Sequence, residues 1–121
     1  MSAHVLLVED DTWLATLQAS SLQQAGYEVV HAAHATSAIV RIDQQLPDVI
    51  IIDMLLTGTT ALALLHELQS HVDTKTTPVI LCTNLADSIA LADVAPYGVR
   101  RIIDKTTMQP DDVVAAVRSV L

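Results

Sequence analysis

The chain has 121 residues, 51% of them hydrophobic, which excludes a disordered chain. Fourteen acidic residues against six basic ones give a net charge of −8, which argues against binding nucleic acid or an anionic membrane through a basic surface. Aromatics are reduced to Trp13, Tyr27 and Tyr97, with no Phe, so a base-stacking platform is excluded and the core must be aliphatic.

Residues 4–8 (HVLLV) form a short continuous apolar run and predict a strand buried on both faces. Residues 12–25 have helical spacing, with Leu14, Leu17, Ser21 and Ala25 on one side and Gly26 as terminator. Residues 28–32 (EVVHA) predict the second strand. Residues 36–46, carrying Ile39, Val40 and Ile42, predict a helix that stops before Pro47. Residues 49–53 (VIIID) predict the third strand, and residues 60–71, with Leu62, Leu64, Leu65 and Leu68, the third helix. Residues 79–83 (VILCT) predict the fourth strand. A short apolar helix over 87–95 ends before Pro96, and residues 101–104 (RIID) predict the fifth strand. The last helix, 110–121, opens with Pro110 at its first position, and Asp111 and Asp112 suit its positive start.

Five strands alternating with five helices imply one α/β domain over residues 1–121, a parallel sheet with helices on both faces and right-handed crossovers. No apolar run approaches the roughly 18 residues of a membrane span. The N-terminus lacks the basic and apolar regions of a signal peptide. The single cysteine, Cys82, cannot form an internal disulfide, and a reducing, cytoplasmic setting is expected. Cys82 itself is expected to be buried and inert.

Ligands of such sheets bind beyond the carboxyl ends of the strands. Those ends carry Glu9-Asp10-Asp11, Asp53, Thr83-Asn84 and Asp104-Lys105. If the first and third strands are neighbours, several carboxylates converge beside a hydroxyl and an ammonium. Like charges at close range repel, and a hard cation such as Mg²⁺ relieves that repulsion through oxygen ligands. A cation flanked by a lysine and a threonine suits an arriving phosphoryl group, with one carboxylate as nucleophile. Asp11 reads better as a helix N-cap than as a metal ligand.

In these residues the sequence resembles the CheY-like receiver domain of two-component response regulators. The resemblance runs from His4 to Leu121. It is carried by Leu6-Leu7-Val8-Glu9-Asp10-Asp11, Val49-Ile50-Ile51-Ile52-Asp53, Pro78-Val79-Ile80-Leu81-Cys82-Thr83 and the isolated Lys105. It implies a flavodoxin-like strand order 2-1-3-4-5. It further implies Asp53 as phospho-acceptor, and Glu9, Asp10, Asp53 and the Leu55 backbone carbonyl as ligands of Mg²⁺ (or Mn²⁺). Thr83 and Lys105 would be the hydroxyl and ammonium that meet the phosphoryl group. The implied donor is a sensor histidine kinase or a phosphotransfer protein. Such a domain acts on no outside substrate but assists its own phosphotransfer and autodephosphorylation, by positioning and charge neutralisation.

Five positions depart from the family pattern. Thr57 stands where proline is common, and Ala61 where glycine is common. Gly58, Thr59 and Thr60 follow in the same loop, the two threonines as candidate helix caps. Asn84 is bulkier than the usual small residue. Ile102 replaces the aromatic that usually swings inward, and Thr106 replaces the proline after the lysine. A cis bond before a non-proline residue costs about 2.5–4 kcal/mol, so a trans Lys105–Thr106 bond and a shifted loop are expected.

These departures motivate a second reading, a receiver-like module that binds partners independently of phosphorylation. A haloacid-dehalogenase-type phosphatase would need an aspartate where Leu55 stands, and a nucleotide-binding loop would need glycines where Glu9-Asp10-Asp11-Thr12 stands. Arg100 and Arg101 have two readings: a solvated strand edge, or part of the fourth-helix, fifth-strand, fifth-helix face through which receivers form homodimers. The five histidines share no motif and read as surface or edge residues. Trp13 reads as a cover for the pocket or as part of a kinase contact. Leu55 and Leu85 flank the path of an attacking water, and slow autodephosphorylation is expected. A complete chain would act by binding partners; a fragment would be followed by an output domain.

Overall fold

The computed structural model describes residues 2–56 and 59–121. Thr57 and Gly58 lie outside the described residues, as does the side chain of Thr59. In chain order the elements are β1 (His4–Val8), α1 (Thr12–Gln24), β2 (Glu28–Ala32), α2 (Ala35–Gln44), β3 (Val49–Ile52), β4 (Leu55–Leu56), β5 (Thr59–Thr60), α3 (Ala61–Gln69), β6 (Val79–Thr83), α4 (Leu91–Val94), β7 (Val99–Asp104) and α5 (Pro110–Val120).

Five strands form one parallel sheet in the order β2-β1-β3-β6-β7. With the β4–β5 ladder set aside, this is the expected order 2-1-3-4-5. Alternation along the strands divides the core. Leu6, Val8, Ile50, Ile52, Val79 and Leu81 face α2 and α3. Val5, Leu7, Val49, Ile51, Ile80 and Cys82 face α1 and α5. Both faces are covered, so β3 and β6 are buried at every position. That is why these strands read as unbroken apolar runs.

Three expectations need correction. The buried side of α1 is Ala15, Gln18 and Leu22, not the stripe through Leu14 and Leu17; Leu17 is exposed. The helix packs through a small residue and an amide because Gln18 Nε2 donates to the sulfurs of Cys82 and Met108, at 3.4 and 3.8 Å, and these sulfurs lie 3.5 Å from each other. Second, the segment expected as a helix over 87–95 is broken. A 3-10 turn at Ala86–Ser88 is followed by extended Ile89, and only Leu91–Val94 is α-helical. The extended backbone seats Ile89 against the core under the sheet face of α2 and α3. A second 3-10 turn, Ala95–Tyr97, ends at Gly98 with φ +90°. A Cβ there would also lie 3.2 Å from Gln69 Nε2, so the position suits glycine twice over.

Third, Leu55–Leu56 and Thr59–Thr60 pair as a short antiparallel ladder before α3, where only a loop was expected. Leu56 is buried and Leu55 exposed, the alternation of a half-buried strand. At the sheet edge, β7 begins two residues earlier than its apolar run suggests. Val99 pairs with Val79 and Arg101 with Ile80, leaving Arg100 as the extra residue of a bulge.

Candidate functional site

The site lies where β1, β3, β6 and β7 end on one edge of the sheet. β1 and β3 are direct neighbours, with Val8 opposite Ile52. This pairing brings the residues that follow, Glu9 and Asp53, side by side. The Asp53 N–H donates to the Val8 carbonyl at 3.2 Å, which carries the ladder one step past β3. Glu9, Asp10 and Asp53 each present a carboxylate oxygen, and these oxygens lie within 4.8 Å of one another.

Glu9 is 2% exposed, unusual for a glutamate. Its carboxylate accepts from the Asp11 N–H at 3.2 Å and from the Lys105 ammonium. Burial pushes its pKa above the ordinary carboxylate value, against the lowering effect of Lys105. Asp53 Oδ1 accepts from the Leu55 N–H at 3.3 Å, and its Oδ2 accepts from Lys105 Nζ at 2.8 Å. Burial would lower the Lys105 pKa, but hydrogen bonds to Asp53 and Glu9 outweigh it and the net shift is upward.

Lys105 follows the last residue of β7, and its N–H donates to the Thr83 carbonyl at 3.0 Å. Thr83 is 1% exposed at the end of β6. Its Oγ1 accepts from the Leu85 N–H at 3.1 Å, so the hydroxyl retains its own proton to donate. The three carboxylates present oxygen donors only. That donor set matches a hard divalent cation.

The sequence-derived residues are therefore brought together: Glu9, Asp10, Asp53 and Lys105 in one cluster, with Thr83 tied to Lys105 through the backbone. Leu55 belongs to β4, paired with Thr60, and contributes its N–H to Asp53. Asp11 is the N-cap of α1, its Oδ1 accepting from the Leu14 N–H at 3.1 Å, as expected. Among the departures, Asn84 is exposed, and Ile102 packs half-buried against the core. Ala61 is fully buried, with its N–H donating to the Met54 carbonyl at 2.8 Å. The Lys105–Thr106 bond is trans. Both the Thr106 N–H and hydroxyl donate to Asp104 Oδ1, at 2.9 and 2.6 Å, and these bonds hold the Asp104 pKa low.

Trp13 is 74% exposed, which goes against a cover over the pocket. His31 is the residue that the sequence left without a role. It is half-buried on β2 with Nε2 2.6 Å from the Glu9 carbonyl oxygen. Its only signal in the sequence is its place one residue before the end of the strand beside β1.

A family model described as the response regulator receiver domain matches residues 5–118. Among curated proteins, the chain is similar to the phosphate regulon transcriptional regulatory protein PhoB of Klebsiella pneumoniae, 26% identical over the whole chain and 52% of that protein. It is also similar to PhoB of Rhizobium meliloti, 30% identical over 69% of the chain and 37% of that protein. The chain thus spans at most about half the length of these relatives. Among solved structures, the signal receiver domain of a histidine kinase from Syntrophus aciditrophicus is 28% identical, with a TM-score of 0.85 over 99% of this chain and 90% of that one. Chemotaxis protein CheY4 of Vibrio cholerae shares the fold, with a TM-score of 0.89 at 24% identity over the full length of both chains.

Proposed function

The chain belongs to the response regulator receiver domain family, and from that membership we propose that it accepts a phosphoryl group on Asp53 and changes conformation to control an output domain or partner. The donor is a sensor histidine kinase or a phosphotransfer protein. The observation that carries this reading is the convergence of Glu9, Asp10 and Asp53 with Lys105 bound to two of them.

The donor set fits Mg²⁺, and Mn²⁺ by the same oxygens: Glu9, Asp10, Asp53 and the Leu55 backbone carbonyl would hold it. When bound, the cation neutralises charge on the transferring phosphoryl oxygens. The other steps belong to the chain. An Asp53 carboxylate oxygen forms the bond to phosphorus as the phosphorus–nitrogen bond of the donor phosphohistidine breaks. The Lys105 ammonium, now shared between Glu9 and Asp53, pairs with the incoming negative oxygens. The Thr83 hydroxyl donates to them while its oxygen still accepts from Leu85, so a shift of Thr83 is passed to the loop before α4. The domain is a phospho-acceptor, not an enzyme acting on outside substrates.

The exposed Arg100 and Arg101 on β7 support a homodimer face formed by α4, β7 and α5. The acidic balance supports partners that are proteins rather than nucleic acid or membrane, and the single free Cys82 supports a reducing, cytoplasmic setting. Among the described residues, no helix is long and apolar enough to cross a membrane.

The test is phosphate incorporation from a phosphohistidine donor, with Asp53→Ala as control. Incorporation that persists unchanged in Asp53→Ala removes the proposal. Amide NMR with Mg²⁺ and then beryllofluoride, a phosphoryl mimic, reads the switch: shifts reaching Thr83, Ile102 and α4 are expected. One observation favours a second reading, a module that binds partners regardless of phosphorylation: Ile102 is packed on the core and has no polar group to follow Thr83. That reading expects equal partner affinity with and without the mimic.

A further inference from the structure

The β1–β2 ladder ends at the acidic turn. Val8 pairs with Ala32, and the Glu9 N–H donates to the Ala32 carbonyl at 3.1 Å. A continuing parallel ladder would satisfy the Glu9 carbonyl from the N–H of His34. That N–H is instead turned into the start of α2, where it donates to Ser37 Oγ at 3.2 Å. A side chain takes its place: His31 Nε2 lies 2.6 Å from the Glu9 carbonyl oxygen. A carbonyl oxygen only accepts, so Nε2 carries the proton.

This bond falls on the peptide joining Glu9 to Asp10. Its rotation would move the two acids apart or together, because Glu9 is anchored inside the sheet edge and Asp10 is the next residue out. Three of the bonds that hold the turn, among the described residues, are the Glu9 N–H on Ala32, the Glu9 carbonyl on His31, and the Asp11 N–H on Glu9 Oε2. Two of these are strand or local bonds. The third reaches from a neighbouring strand through a side chain of limited rotamer freedom.

We propose that His31 is a positioning residue for the acidic pair: its imidazole fixes the Glu9–Asp10 peptide and so sets the direction in which Asp10 presents its carboxylate. The metal-binding part of this rests on the reading given above for Glu9, Asp10 and Asp53. In this role His31 would not itself touch the phosphoryl group or the metal. It acts through the backbone, as groups that orient a metal ligand do.

The experiment compares the full chain with His31→Gln, which keeps a side-chain N–H, and His31→Leu, which removes it at similar volume. Mg²⁺ alone is titrated and followed by the Asp10 and Asp11 amide signals and by Trp13 fluorescence, beside a thermal midpoint for each protein. His31→Leu is expected to weaken Mg²⁺ binding about tenfold, the lower end for lost orienting groups. His31→Gln should recover most of it, with the two midpoints matched. Equal binding by all three proteins overturns the proposal, as does a loss in both variants that follows their midpoints. If the unmodified chain does not respond to Mg²⁺, it is the metal reading that fails. The metal-free spectra then decide His31: Asp10 and Asp11 signals displaced in His31→Leu and restored in His31→Gln support it, and unmoved signals overturn it. An imidazole nitrogen spectrum of the unmodified chain showing Nε2 without its proton overturns it with no variant at all.

Discussion

Asp53 and Lys105, 52 residues apart in the chain, meet with Nζ 2.8 Å from Oδ2. Because β6 lies between β3 and β7, this ion pair reaches across a whole strand end, and the same ammonium also holds buried Glu9. One cation thus pairs with two of the three clustered carboxylates. Stability and binding are set in opposition there: whatever relieves the negative charge steadies the fold, and whatever preserves it favours a cation.

Asp10→Asn tests that opposition. It removes one of three carboxylates whose oxygens lie within 4.8 Å of one another. The repulsion relieved is expected to stabilise the metal-free protein by about 1 kcal/mol. For a domain of this size that raises the thermal midpoint by about 4 °C. The same variant should lose its response to Mg²⁺. Thermal melts with and without Mg²⁺ check both halves, and an unchanged or lowered midpoint in the absence of metal would mean the repulsion is already compensated.

Lys105→Met should act the other way. It leaves Glu9 buried without its counter-ion, a loss of about 3 kcal/mol at neutral pH. The pH dependence has a definite sign. A carboxylate with a raised folded pKa contributes stability that is full below its ordinary value of 4.5 and is lost as pH rises through the raised value. Without Lys105 to oppose the burial, that loss deepens. Lys105, also shifted upward, contributes stability present below its ordinary 10.5 and lost above it. Denaturant unfolding of Lys105→Met and the unmodified chain at pH 5 and pH 7.5 should therefore show the larger gap at pH 7.5. An equal gap at both would assign the effect to packing.

The central strands β3 and β6 were legible because burial on both faces leaves unbroken apolar runs, and the acidic cluster because the strand ends follow from them. What could not be read there was which side of a helix turns inward. Leu14 and Leu17 outweigh Ala15 and Gln18 in hydrophobicity, yet Ala15 and Gln18 are buried, because close packing of α1 on α5 and the sulfurs selects size and hydrogen bonding. The break near Ile89 was hidden for a related reason: an apolar residue can reach the core from extended backbone as well as from a helix. The β4–β5 ladder pairs only two residues on each strand, too few to leave a periodic signal. His31 was invisible because its partner is a backbone carbonyl, which every residue has.

Cys82 offers a check on the packing beneath the site. Burial pushes its thiol pKa up to about 11, and Gln18 and Met108 enclose the sulfur. The folded protein should therefore react very slowly with a disulfide reagent at pH 8 and fully in denaturant. The stability linked to this thiol is full below its unfolded value near 9.0 and falls as pH rises toward about 11. Fast labelling at pH 8 would mean that α1 and the loop around Met108 open readily.

If Asp53 is phosphorylated as proposed, the lifetime of that state is expected to turn on two leucines. Leu55 and Leu85 follow Asp53 and Thr83 by two residues each, and each backbone N–H is tied to the side chain it flanks, Leu55 to Asp53 Oδ1 at 3.3 Å and Leu85 to Thr83 Oγ1 at 3.1 Å. Both side chains are exposed rather than sunk into the core. Neither can hydrogen-bond a water or aim it at phosphorus, and hydrolysis needs such positioning. Autodephosphorylation should accordingly be slow, with a half-life well beyond seconds. Leu55→Asn supplies an amide able to orient the water and should shorten that half-life several-fold, with phosphate incorporation retained. Decay of the labelled protein measures both. A half-life of seconds in the unmodified chain would show that water reaches the phosphoryl group by a route the leucines do not guard.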